Sequence, residues 1–166
     1  MTRTNVCNGH CLKIAQVTPA HEKMLLELFQ VINNDHAGMR NFHPHPFTEN
    51  EARRIAHYAG HDLYFVASAC DETVGYGMLR GWDAGFDTPS IGIYIRKEKR
   101  GAGIGKLFMS HMHAAAAERG SRAIRIKVHP HNRQAHKMYE RMGYEFRDTL
   151  EPDGQLLGIL QLPPYQ

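Results

Sequence analysis

The sequence is short of several things that would each fix a class. It has three cysteines in 166 residues, Cys7, Cys11 and Cys70, and no CxxC pair. An odd number at these spacings gives neither a disulfide framework nor a thiolate metal site, and free thiols fit a reducing, cytoplasmic setting. No run approaches the ~18 uncharged apolar residues of a membrane helix, so no membrane span or membrane partner is expected. The opening residues, MTRTNVCNGHCLKIAQV, carry no apolar core of the secretory type. Excess charge is also scarce. Twenty Lys+Arg against 17 Asp+Glu leave a formal net charge of +3, too even to argue for nucleic acid. There is no low-complexity stretch, no Pro/Gly/Ser linker and no internal repeat. Hydrophobic residues still make up 42%, and a chain near this length buries roughly 68–70% of its unfolded surface. One domain over residues 1–166 is expected, with 1–10 a flexible N-terminal segment.

The periodicities present give an element order. Leu12–Val17 reads as a strand. Thr18 offers an N-cap and Pro19 suits a first helical position. Leu25, Leu28, Phe29 and Ile32 then recur on one helical face. Asp35–Phe47 is polar, His-rich and Pro-broken, a loop. Thr48–Glu51 has the form of a capping box and opens a second helix with Ala52, Ile55, Ala56 and Ala59 inward. Leu63–Ala69 and Thr73–Arg80 form a hairpin about Asp71-Glu72. After a loop, Gly81–Thr88, comes a short strand, Ser90–Ile95. A long helix bearing Ile104, Phe108, Met112 and Ala115 precedes the strand Ala123–Val128. Asn132 can cap a helix with Ala135, Met138, Tyr139 and Met142 inward. Tyr144–Thr149 and Gln155–Leu162 bracket the turn Glu151–Gly154. The order β-α-α-β-β-β-α-β-α-β-β argues an α/β (α+β) chain. Its single mixed, mostly antiparallel sheet of six to seven strands would carry helices on both faces.

A strand, a glycine-rich turn and a helix start at Arg100-Gly101-Ala102-Gly103-Ile104-Gly105-Lys106 make an anion site by construction. Glycines let the backbone approach, and first-turn amides point outward from the positive end of the helix dipole. A Walker A loop fails, because Leu107 follows Lys106 where the Mg²⁺-binding hydroxyl belongs. A dinucleotide fingerprint fails too. Its third glycine position is Lys106, and the next strand, Ile124–Val128, ends in no acidic residue.

Arg100-x-x-Gly103-x-Gly105 does match the acyl-CoA signature [RQ]-x-x-G-x-[GA]. About thirty residues on stands Val128-x-x-x-Asn132-x-x-Ala135-x-x-x-Tyr139-Glu140-x-x-Gly143-Tyr144. The pair resembles the second half of the GNAT N-acetyltransferase superfamily, closely over Ile91–Phe146 and by element order alone before that. The resemblance implies an acetyl-CoA-dependent N-acetyltransferase, with acetyl-CoA as co-substrate and no metal. Pyrophosphate would sit on the amides from Arg100 through Gly101, Ala102, Gly103, Ile104 and Gly105 to Lys106, with Arg100 adding charge. Pantetheine would pair with the main chain of Ile93 and Ile95, and an amide near Ile93 or Tyr94 would hold the oxyanion. Asn132 and Ala135 would flank the cofactor arm. Tyr139 takes the position of the general acid that protonates the departing thiolate; its alternative is an aromatic core residue. Homodimers are common in the resembled superfamily.

Many relatives carry a glutamate on the strand Ser90–Ile95; this one has none. The base that deprotonates the acceptor amine is therefore open among His43, His45, Asp83, Asp87 and a bound water. No cysteine stands at a nucleophile position, so direct transfer in a ternary complex is expected. Phe42-His43-Pro44-His45-Pro46-Phe47 can line an acceptor pocket, hold a metal together with His129 and His131, or simply form a stiff surface loop. Arg80, Trp82 and Asp83 either face the acceptor or, for Trp82, cap the core. The expected acceptor is a primary amine on a small molecule, such as an amino sugar or amino acid. The other readings are a protein N-acetyltransferase and a non-catalytic acyl-CoA-binding module.

Overall fold

A computed structural model of the chain describes residues 4–7 and 10–164. Its strands are Thr4–Cys7 (β1), His10–Gln16 (β2), Leu63–Ala69 (β3), Glu72–Arg80 (β4), Ser90–Ile95 (β5), Ala123–Val128 (β6), Glu145–Leu150 (β7) and Leu156–Gln161 (β8). They form one sheet in the order β1-β2-β3-β4-β5-β6-β8-β7. The helices are Glu22–Asn34 (α1), His36–Met39 (α2), Glu49–Ala56 (α3), Ile104–Glu118 (α4) and Arg133–Arg141 (α5). The sheet is mixed and mostly antiparallel as expected, with one more strand than the sequence reading gives. The extra strand is β1, inside the segment expected to be flexible. Its main chain pairs with β2, Thr4 opposite Lys13 and Cys7 opposite His10.

Strand alternation sorts side chains to two cores. On β3, Leu63, Phe65 and Ala67 face a layer with Phe108, Met109 and Met112 of α4. Tyr64 and Val66 face the other way, toward Leu25, Leu28, Phe29 and Ile32 of α1 and Ala52 and Ile55 of α3. The α1 stripe at helical spacing is thus the stripe that is buried. Close approach of α4 depends on Gly77 of β4. A Cβ there would lie 2.7 Å from Met112 Sδ and 2.9 Å from Phe108 Cζ. Gly77→Ala should lower stability by about 1–3 kcal/mol through overpacking, read as a drop in urea midpoint at unchanged m-value.

Several local expectations shift. The β3–β4 turn centres on Cys70 and Asp71, both at positive φ (49° and 62°), one residue before the expected Asp71-Glu72. Half of the expected capping box forms: Thr48 Oγ1 accepts from Glu51 N, while the Glu51 carboxylate turns to Arg54 instead. Asn132 makes no side-chain cap bond; its carbonyl accepts His136 N at 3.0 Å and its side chain is left for the cleft. The expected loop Asp35–Phe47 contains α2, capped by the Asp35 carboxylate on Gly38 N.

One feature of the sheet positions the site. β5 and β6 run parallel and pair at Ser90↔Arg125 alone, then diverge as both strands proceed. The divergence opens a fork between Ile93–Ile95 and Val128, next to the N-terminus of α4.

Candidate active site

The fork leads into a cleft of about 440 Å³ lined by Ile93, Tyr94, Ile95, the 100–106 loop, Val128, His129, Asn132, Ala135 and Tyr139, among others. Arg96 N donates to Val74 O at 2.8 Å. Antiparallel alternation therefore turns the main-chain groups of Tyr94 toward β4 and those of Ile93 and Ile95 toward the fork. Of the two amides expected to hold an oxyanion, only that of Ile93 is free of the β4 ladder. The Ile95 carbonyl already accepts Arg100 Nε at 2.9 Å.

Gly101 and Gly103 have φ of 81° and 82°, and a Cβ on either would meet nothing within 4 Å. Their requirement is conformational, and the space beside them stays open. Gly103 caps α4 in the left-handed conformation. The first intrahelical bond runs from Leu107 N to Gly103 O at 3.2 Å, so the amides of Ile104, Gly105 and Lys106 precede the ladder. The Ile104 side chain itself is in the core at 6% exposure, which leaves only its amide for a ligand. Gly105 differs from the other two: a Cβ would stand 3.8 Å from Ile95 Cγ1, an ordinary contact.

A carboxylate unnoticed in the sequence organises the rim. Asp35 Oδ2 accepts from Tyr94 OH at 2.9 Å and from the Arg100 guanidinium at 2.8 Å, and Oδ1 accepts from Gly38 N at 2.9 Å. The Arg100 guanidinium also stands 5.4 Å from the Tyr94 ring centroid. Burial pushes the Asp35 pKa up, but Gly38 N–H, Tyr94 and Arg100 together outweigh it and hold it below the ordinary carboxylate value. Arg100, expected at a pyrophosphate, is thus tied to the α1–α2 junction. Only a three-dimensional pairing of residues 65 positions apart could reveal that.

Tyr139 is 7% exposed and lines the cleft from α5. Its ring meets Tyr144 edge-on at 5.9 Å. No hydrogen bond to its hydroxyl is made by the described residues, and burial pushes its pKa up to about 12. The group therefore stays protonated across the physiological range, as a proton donor must. Ala135, about one turn before it, and Met138, its neighbour in sequence, line the same wall.

The acceptor-side expectations divide. Phe42 lines the cleft. His43 is exposed, with Nδ1 donating to Met39 O at 3.0 Å and its ring stacked 6.2 Å from His129. His45 turns the other way. Its Nδ1 donates to Pro46 O at 2.8 Å, Nε2 lies 2.9 Å from Tyr76 OH, and Phe29, Phe47 and Tyr76 surround the ring. Burial lowers its pKa, but both nitrogens are engaged in the α1 core, so it is removed from the base candidates. Arg80 donates to Pro44 O at 3.3 Å. Trp82 and Asp83 lie away from the cleft. Asp83 accepts His61 N at 2.8 Å, Arg119 stands 5.3 Å from the Trp82 ring, and Arg119 also donates to His61 O. These bonds pin the Gly81–Thr88 loop to the C-terminal end of α4. Asp87 sits in that loop too, its carbonyl accepting from Ser121.

Sequence reasoning weighed His129 only as a metal ligand. It lines the cleft beside Asn132 and Val128, with His131 stacked on it at 5.1 Å and Nε2 buried without a partner. Burial, then the charges His131 and His43 can carry, keep its pKa below the ordinary value. His131 is itself bonded to Asn41 at 2.9 Å. Among the described residues no three His, Cys, Asp or Glu side chains converge as a metal site.

The fork, the glycine loop at the α4 start and Tyr139 line one cleft. The model of the acetyltransferase (GNAT) family matches residues 25–144. The chain belongs to that family. Solved GNAT structures share its fold. The GNAT domain of S. lividans PAT superposes with a TM-score of 0.80 at 17% identity, covering 97% of each chain. The PaiA N-acetyltransferase from Thermoplasma acidophilum, solved with coenzyme A, gives 0.70 at 16% identity over 90% of this chain and 98% of that one. RimL, a ribosomal L7/L12 alpha-N-protein acetyltransferase also solved with coenzyme A, gives 0.74 at 14% identity over 96% and 98%. No helix among the described residues is long and apolar enough to cross a membrane.

Proposed function

We propose that the protein transfers an acetyl group from acetyl-CoA to a primary amine of a small molecule, directly and without an acetyl-enzyme. The observation that carries this is that Tyr139, whose hydroxyl has no hydrogen bond to the described residues, and Ile93, whose amide is turned away from β4 by strand alternation, line one cleft. The Arg100–Lys106 amides take the pyrophosphate, and Ile93 and Ile95 pair with the pantetheine arm, Arg100 giving up Ile95 O as it does so. The amine attacks the thioester carbon. The Ile93 N–H stabilises the resulting oxyanion. When the C–S bond breaks, Tyr139 delivers its proton to the thiolate.

The amine must arrive deprotonated, and His129 is the base we assign. Its neutral form persists below the usual histidine range, because burial and the neighbouring imidazoles oppose a positive charge. The sign of the pH dependence follows. The base works deprotonated, so kcat/KM falls as pH drops through its depressed pKa, placing the acid limb below pH 6.5. Tyr139, at about 12, sets no alkaline limb below about pH 10. His129→Gln should abolish the acid limb and cost roughly 10²-fold in kcat/KM. A limb retained in that variant would pass the role to another group.

The cofactor reading is tested by thermal unfolding with acetyl-CoA, CoA and ATP. A ligand at ~100 times its Kd stabilises by about 2.7 kcal/mol, several degrees in a domain of this size. A shift with the first two and none with ATP supports the proposal. No shift with any of them ends it.

A further inference from the structure

Register places three polar residues side by side on the sheet face that carries α1 and the Phe42–Phe47 loop. Arg80 of β4 is opposite Ser90 of β5, and Ser90 is opposite Arg125 of β6. Paired residues share a face, so the two arginines flank one serine across two strand spacings, about 10 Å. The row lies at the closed end of the fork, where β5 and β6 last touch. Next on the same face of β6 comes Lys127, and His129 at the strand's end lines the cleft.

The charges in this row are unequally matched. Lys127 is held by Asp153 at 2.8 Å. Glu51, the carboxylate that senses the charge of Arg80, is itself held by Arg54 at 2.6 Å. Arg80 spends one nitrogen on Pro44 O and stands near Met78 Sδ. Arg125 has no such counterpart. Its Nε is buried and has no hydrogen-bond partner among the described residues, and its cross-strand neighbour on β8 is the apolar Ile159. A half-buried guanidinium without an acceptor is costly, and its planar fork matches carboxylate and phosphate oxygens. No described lining residue of the adjoining cleft is a carboxylate, and the Asp35 carboxylate at its rim is already held by Arg100 and Tyr94. No free carboxylate among the described residues there would therefore attract a second cation on the acceptor.

We infer that Arg125, with Arg80 and Ser90, forms an oxyanion subsite for the acceptor, which is a small amine that also carries a carboxylate or phosphate group. This rests on the acetyl transfer proposed above. Arg125 would grip the anion by its free N–H groups while the amine lies toward His129. A dication of the polyamine class would be disfavoured, since it would bring positive charge to an unpaired arginine.

The test is CoA release with matched amines that differ only in the anion. L-amino acids run against their carboxamides, and glucosamine 6-phosphate against glucosamine; a diamine serves as the dication. Each is assayed with the wild type, Arg125→Gln and Arg125→Lys. Acetyl-CoA-induced thermal shifts on all three proteins check folding and the cofactor site separately. The expected result is selective turnover of one anion-bearing arm, the arm naming carboxylate or phosphate. Arg125→Gln should then raise KM for that amine at least 30-fold with kcat within about threefold. Arg125→Lys should recover part of the loss, and the acetyl-CoA shift should be unchanged throughout. Equal or better turnover of the amines lacking the anion, or an unchanged KM in Arg125→Gln, overturns the subsite and leaves acetyl transfer standing. Absence of any acetyl-CoA shift in the wild type overturns both.

Discussion

Replacing Tyr139 with Phe is expected to lower kcat by roughly 10²–10³-fold, within the range general acid catalysis supplies. That corresponds to about 3–4 kcal/mol of barrier. The phenylalanine keeps the ring against Tyr144 and the wall formed with Ala135 and Met138. The hydroxyl has no bond to the described residues to lose, so stability and acetyl-CoA affinity should stay close to wild type. Steady-state kinetics beside isothermal titration with acetyl-CoA separates the two quantities. A kcat within threefold of wild type would reduce Tyr139 to an aromatic packing residue. It would also favour proton delivery by water, whereas the acyl-CoA-binding reading expects no turnover in either protein.

Gly103→Val is expected to weaken acetyl-CoA binding by ~100-fold or more. Gly103 holds φ 82° at the start of α4. A β-branched residue is a genuine outlier there, and the left-handed conformation costs an L-residue about 1–2 kcal/mol. The added atoms also project into space that is empty of protein, over the amides that would hold pyrophosphate. Thermal midpoint should fall by several degrees, and the acetyl-CoA-dependent shift should vanish. Gly105→Ala is the contrast, since a Cβ there makes an ordinary 3.8 Å contact with Ile95. An undiminished acetyl-CoA shift in Gly103→Val would mean that the loop does not carry the cofactor.

The acid limb assigned to His129 and the overpacking at Gly77 probe different layers of the same molecule. One reads a group held neutral by its surroundings at the mouth of β6. The other reads how closely α4 lies on β4. Neither depends on knowing the acceptor.

What the sequence by itself determined is whatever a short stretch of chain decides for its own conformation. The strand Ser90–Ile95, the glycine turn and the α4 start follow one another within 15 residues, and all three stand where periodicity and glycine placement put them. The Leu25–Ile32 stripe is buried for the same reason: a helix needs only its own spacing to declare an inner face. The motif from Val128 to Tyr144 is equally local, and with the glycine turn it was enough to point to the family.

Tertiary structure alone decided which distant residues meet. Asp35 reaches Arg100 and Tyr94 because α2 closes over the end of β5. His129 meets His43 because the Phe42–Phe47 loop crosses the fork, while the same loop drives His45 into the α1 core. Trp82 and Asp83, attractive by position, are drawn to Arg119 and His61 instead. Arg80, Ser90 and Arg125 share a row only because β6 pairs with β5 at that one register. Strand order and register are set by burial summed over the whole sheet, and a one-residue slip would turn Arg125 to the opposite face. No local pattern encodes that sum, so the acceptor side of the cleft becomes legible only when the sheet is assembled.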